Sequence, residues 1–204
     1  MWVIGGSRRP VCCVACRCCN PCQAECMDRR FPTDEDYTTS TNPERFDAVV
    51  EYTKKLIAEL ESEFVVDRGE GDWSEDFPHL AKLNENPTAP VRLSSSTGIP
   101  LVFGFTSAPG VVLRVGRNVR LLFPHCLCDA CNLQVDEMCD EIRFHVNAVA
   151  SGSFTETVGR RKHQWTFGGA GRRRATDYRP PRSERKTLGK RGEFGSEPWE
   201  RRTP

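Results

Sequence analysis

The sequence predicts an α+β fold. The expected form has two layers, with a four-stranded antiparallel meander and two helices packed on one of its faces. Three observations carry this expectation. Two stretches repeat apolar residues at helical spacing. Four runs between them alternate apolar and polar residues or are continuously apolar. The links joining those four runs are short, which favours hairpins over crossovers.

The first helix is announced by Asn42-Pro43-Glu44. An Asn side chain can cap the free backbone N–H groups, Pro suits the first helical position, and an acid favours the positive end of the dipole. Phe46, Val49, Val50, Leu56, Ile57, Leu60 and Phe64 then fall on one stripe. Glu51, Lys54, Lys55, Glu59, Glu61 and Glu63 lie largely off it, as a solvated face. The following stretch, DRGEGDWSEDFPHLAKLNENPT, reads as a loop because it is rich in Gly, Asp, Glu and Asn and carries two Pro. Trp73, Phe77 and Leu80 are expected to fold back onto the core, and His79 among them reads as structural or solvated.

The four strands follow. APVRLSSS sets Val91 and Leu93 against Arg92 and Ser94, and IPLVFGFTS is continuously apolar, as in a central strand. GVVLRVG turns Val111, Leu113 and Val115 inward and Arg114 outward; NVRLLFP turns Val119, Leu121 and Phe123 inward and Arg120 outward. Ser107-Ala108-Pro109-Gly110 and Gly116-Arg117-Asn118 supply turn chemistry. The second helix places Val135, Met138, Cys139, Ile142, Val146 and Val149 on one stripe, with Asp136, Glu137, Asp140 and Glu141 in its first turns, and Gly152 ends it. SFTETV and HQWTFGG could each add a short strand.

The ordered domain is expected over residues 37–158. Residues 168–204 are rich in Arg, Gly, Pro and Glu with almost no aliphatics, and read as a disordered basic tail. Charge supports this division: residues 28–158 carry 12 Lys/Arg against 22 Asp/Glu, whereas residues 159–204 carry 14 against 5. The tail could lie over the acidic body or bind nucleic acid by counterion release, with Tyr178 or Trp199 stacking; a merely solvated tail is preferred. No apolar run is long enough to cross a membrane, and the start MWVIGGSRRPVCC lacks the pattern of a secretory signal. A cytoplasmic protein with reduced thiols is therefore expected.

Seven of the eleven cysteines lie between Cys12 and Cys26. Cys13–Cys16, Cys16–Cys19 and Cys19–Cys22 have a spacing that lets two sulfurs share a metal ion. The stretch has no His, no regular repeat and no hydrophobic partner. The preferred reading of residues 1–26 is therefore a start codon placed too early, with Met27 beginning the protein. A metal cluster or an unstructured thiol-bearing segment is the alternative.

Cys126, Cys128 and Cys131 occupy the turn between the last strand and the second helix. Three readings stay open. In the first, they are turn cysteines with a structural or packing role. In the second, they are three ligands of one metal ion such as zinc, for which His125, Cys139, His145 or His163 would have to supply the fourth position. His125 adjoins Cys126 awkwardly, Cys139 falls on the apolar stripe, and His145 lies too far along the helix. In the third, Cys128 and Cys131 are a CxxC redox pair opening a helix, although the preceding hairpins are unlike a thioredoxin crossover.

NPERF at a helix start, an apolar meander ending in FP, and C-x-C-D-A-C leading into an acidic helix resemble a family of uncharacterised actinobacterial proteins, a domain of unknown function. The resemblance spans residues 37 to 158. It implies a small cytosolic domain with no assigned activity. Asn132 stands where that family carries an acid, and His125 where an acid or a small residue is expected.

No catalytic residues are assigned. The sequence has no G-x-S-x-G, P-loop, HExxH or dinucleotide fingerprint. The leading expectation is a non-enzymatic domain with an interaction or regulatory role toward an unknown protein or small ligand, stabilised by zinc at Cys126, Cys128 and Cys131. A thiol redox protein or sensor using Cys128 and Cys131 is the second, and nucleic-acid binding through residues 168–204 the third.

Overall fold

A computed structural model describes residues 35, 37–78, 80, 88–169, 171–181, 188 and 191–203. The expectations for residues 1–26 and for His79 lie outside these. The first helix starts where the cap motif places it. The Asn42 side chain accepts a hydrogen bond from the Arg45 N–H (3.2 Å), and a 3₁₀ turn over Pro43–Phe46 leads into α1, Asp47–Glu63. Val49, Thr53, Leu56, Ile57 and Leu60 are its buried stripe, and Thr53 returns its hydroxyl to the Val49 carbonyl.

The expected meander is present: β2 (Val91–Ser95), β3 (Leu101–Phe105), β4 (Val111–Val115) and β5 (Val119–Phe123) pair antiparallel in chain order. The sheet has one strand more than expected. β1, Val66–Glu70, joins its edge by pairing with β2, Arg68 opposite Leu93. VDRGE exposes four of its five residues, so it carries no hydrophobic alternation, and backbone pairing alone defines it.

Alternation along β3 to β5 divides the sheet into two faces. Leu101, Phe103, Val111, Leu113, Val115, Val119, Leu121 and Phe123 point into the main core together with the stripe of α1. The second long helix, α3 (Val135–Ala150), adds Met138, Cys139, Ile142, Val146 and Val149 to that core, so both helices serve the same face. The other face carries a smaller cluster of Val102 and Val112 beneath Trp73 and Phe77. Trp73 opens α2, a single turn over Trp73–Asp76 capped by Asp72, and Phe77 closes it as the next residue. The aromatic loop thus folds back as expected, but onto the opposite side of the sheet.

α3 ends at Gly152, φ +73°. The Gly152 N–H bonds the Val149 carbonyl and the Ser153 N–H bonds Ala148, which is a Schellman closure. A Cβ at Gly152 would also stand 2.7 Å from Pro198. After the helix, β6 (Phe154–Val158), β7 (His163–Gly169), β8 (Arg172–Tyr178) and β9 (Gly192–Gly195) form a second antiparallel sheet in the order β8-β7-β6-β9.

This second sheet corrects two expectations. The core does not stop at residue 158, because Trp165, Phe167 and Trp199 belong to the same cluster as α1 and the first sheet. Nor are the described residues of 168–204 a loose basic tail. β8 pairs with β7 along its whole length, β9 pairs with β6, and Trp199 is 3% exposed. The Trp199 ring meets Phe64 edge-on, and its N–H bonds the Ile99 carbonyl at 3.2 Å. Composition misled here because ladder hydrogen bonds and one well-placed aromatic order a segment that is poor in aliphatics. Several of its cations are engaged with the body, Arg201 with Glu63 (2.7 Å) and Arg174 with Glu141.

Candidate metal or thiol site

β5 delivers the chain to Pro124, and Cys126, Cys128 and Cys131 follow before α3 begins. The loop is anchored from both sides. Leu127, Leu133 and Val135 pack against the core. From the other side, residues 39–41 strap across it. The Asp129 N–H bonds the Thr39 carbonyl (2.9 Å), the Ser40 hydroxyl bonds the Leu127 carbonyl (2.8 Å), and the Thr41 N–H bonds the Asp129 carboxylate (3.1 Å). A 3₁₀ turn over Asp129–Cys131 then closes on Asn132, at φ 42°. Asn is one of the few residues that accept this left-handed conformation readily.

The anchored loop brings the three sulfurs together. Sγ of Cys128 lies 2.9 Å from Sγ of Cys126 and 3.3 Å from Sγ of Cys131, and all three fall within 4.8 Å of one another. Thiolates bound to one tetrahedral zinc at ~2.3 Å stand about 3.8 Å apart, so the trio is close enough to share an ion. Cys128 is the buried member; Cys126 and Cys131 are half-buried.

Their proton affinities diverge. Burial alone would raise the Cys128 pKa. Hydrogen bonding with the Cys126 and Cys131 side chains, and with the Cys131 and Ala130 backbone N–H groups, outweighs it and brings Cys128 below the ordinary 9.0. Cys131 goes the other way: burial, its hydrogen bonds to Cys128 and Cys126, and repulsion by their charge push it up to about 12. Cys128 is therefore the one of this pair that loses its proton first.

None of the expected fourth ligands joins the trio. Among the described residues, no other His, Cys or carboxylate lies within 4.8 Å of all three sulfurs. His125 is exposed. Cys139 is buried in the core, where burial first and then Asp136 and Asp140 raise its pKa. His145 lies among Phe123, Phe144 and Phe167 with Nδ1 2.6 Å from the Glu141 carbonyl. His163 is held by Glu156 on the second sheet.

A model of a family of unknown function, DUF6226, matches residues 24–203. The chain belongs to this family. The match includes the second sheet and Trp199, so DUF6226 extends past residue 158, where the sequence-based domain was expected to end. No curated protein and no solved structure matches the chain. Among the described residues no helix is long and apolar enough to cross a membrane.

Proposed function

We propose that this domain is a non-enzymatic interaction or regulatory module that binds one zinc ion through Cys126, Cys128 and Cys131. The observation that supports this most is the convergence of three sulfurs within 4.8 Å on a loop anchored by both the core and the 39–41 strap. Of Cys128 and Cys131, Cys128 is the easier to deprotonate and would supply the first thiolate that metal binding requires. The ion would tie the end of β5 to the start of α3. With three protein ligands, its fourth position would be open to water or to a donor from a partner. The four described cysteines are unpaired, which suits a reducing, cytoplasmic setting.

Metal analysis of the full chain tests this. Wild-type protein should carry one more zinc per chain than Cys128→Ser. Equal zinc in the two proteins would overturn the assignment, and comparison of the two cancels any metal held by the other cysteines. A second reading is favoured by the divergent pKa values of Cys128 and Cys131: a redox pair in which Cys128 attacks and Cys131 resolves. It requires metal-free protein whose Cys128 is alkylated faster than Cys126 or Cys131 near neutral pH.

A further inference from the structure

The second face of the five-stranded sheet carries a feature that the cysteine loop does not use. Arg92, Val102, Arg114 and Arg120 stand side by side in register across β2, β3, β4 and β5. Three guanidinium groups on one row should repel, so something must hold them. Among the described residues that group is Asp76 of α2, whose side chain is fully buried. Arg92 Nη2 lies 3.1 and 3.0 Å from its two carboxylate oxygens, Arg114 Nη1 donates to Oδ1, and Arg120 Nε donates to the Asp76 backbone carbonyl at 2.6 Å.

One carboxylate does not neutralise three cations. The Asp76 carboxylate also accepts the Asp72 N–H at 2.9 Å, so part of its capacity is spent on the helix turn. Arg114 Nε is buried without a hydrogen-bond partner. Burial and the charge of Arg114 lower the pKa of Arg120, against the pull of Asp76 and Glu156. Arg120 Nη1 donates to the Asn118 carbonyl (3.3 Å) and makes no hydrogen bond to Glu156 among the described residues, and Glu156 is itself bonded to His163, Arg117 and Asn118. Among the described residues the row therefore holds surplus positive charge in a partly dehydrated place. It is still reachable, because the side chains of Arg92 and Arg114 remain 29% and 22% exposed. Gly69, opposite Arg92 on β1, has no atom within 4 Å of the position a Cβ would take, so this end of the row is open.

We propose that this row is a binding site for a small oxyanion, a phosphate or carboxylate group, gripped by Arg92 and Arg114 with Arg120 behind them. Planar guanidinium groups carry paired N–H donors that match such oxygens, and the surplus charge supplies the attraction. The site is independent of the cysteine loop and of any metal there.

Calorimetric titration of the full chain with inorganic phosphate, and separately with succinate, tests the proposal. Saturable binding of at least one anion that weakens as salt rises is expected, and which anion binds tells the two ligand classes apart. Arg92→Gln should weaken it roughly tenfold, while circular dichroism verifies an intact fold. Arg114→Lys, which keeps the charge but loses the fork, should weaken it less than Arg92→Gln and not abolish it. Absence of saturable binding by either anion would overturn the proposal. So would binding that is unchanged in a folded Arg92→Gln protein, which would assign the row to holding α2 alone.

Discussion

Glu156 is a carboxylate with no exposure to solvent, and each of its partners can be named. It accepts from the Arg117 N–H (2.8 Å), the Asn118 N–H (3.1 Å) and the Asn118 side chain (2.9 Å), and pairs with His163 Nε2 (2.9 Å). Burial acts to raise its pKa, but the His163 bond, the Arg117 amide and the Asn118 side chain together hold it below the ordinary 4.5. A carboxyl with a depressed folded-state pKa stabilises the fold above its unfolded pKa, and that contribution is lost as pH falls through the folded value. Stability should therefore decline below about pH 4.5. Urea unfolding from pH 7 to pH 3 should show a steeper decline in wild-type protein than in Glu156→Gln. At neutral pH that substitution turns an amide donor toward backbone donors and should cost about 3 kcal/mol. Residue by residue, the sequence was informative where chemistry is local. The C-x-C-x-x-C spacing marks Cys126, Cys128 and Cys131 because three loop residues a few positions apart have few ways to separate. The pairing of Glu156 with the Gly116–Asn118 turn left no such trace, since it joins residues 38 and 39 positions apart across two sheets. Gly116 itself, at φ +61°, was legible as a turn residue, but its second role was not: a Cβ there would stand 2.5 Å from Glu156.

At the scale of elements, periodicity recovered whatever has one dry and one wet face. α1, α3, β2 and β5 do, while β3 and much of β4, buried on both sides, were legible from their nearly continuous apolar runs; the expected apolar residues of all six line the two clusters. β1 and β8 have no such contrast: one is almost wholly exposed, and the other is an Arg-rich sheet edge. Strands of this kind are defined by hydrogen-bond partners, which sequence pattern does not encode. The same reason hides the 39–41 strap, whose grip on the cysteine loop runs largely through backbone groups. Arg92, Arg114 and Arg120 were read as pointing away from the core, and they do, but α2 covers that side. For the chain after β9, the fold makes a sharp claim. Trp199→Ala should lower stability by about 3–5 kcal/mol, as for other large buried aromatics. Denaturant unfolding measures it directly; a change below about 0.5 kcal/mol, the size typical of exposed sites, would mean that Trp199 does not pack as described.

For the molecule as a whole, two sheets and two long helices share one core, and this decides what can be removed. Phe154, Trp165, Phe167 and Trp199 lie in the same cluster as Phe46, Leu56 and Phe103. A chain cut after Val158 keeps the meander and both helices but uncovers the side of that core where β7 and Trp199 sit. It should lose cooperative thermal unfolding and bind a hydrophobic dye such as ANS. A sharp two-state transition in the cut chain would contradict the shared core. Fold class was legible at this scale because helical and strand periods alternate in blocks. The extent of the domain was not, because charge and composition mark residues 159–204 as different while Trp165, Phe167 and Trp199 among them are part of the interior.

Arg202 donates to the carbonyl of Phe64, 138 residues earlier, and the Phe64–Arg201 bridge closes beside it. Synthesis runs in one direction, so α1 leaves the ribosome long before its lid exists. At typical elongation rates the wait is on the order of 10 s, far longer than a helix or hairpin needs to form. Throughout that interval the nascent polypeptide shows a greasy surface to the cell, and a holding chaperone would have its opportunity then.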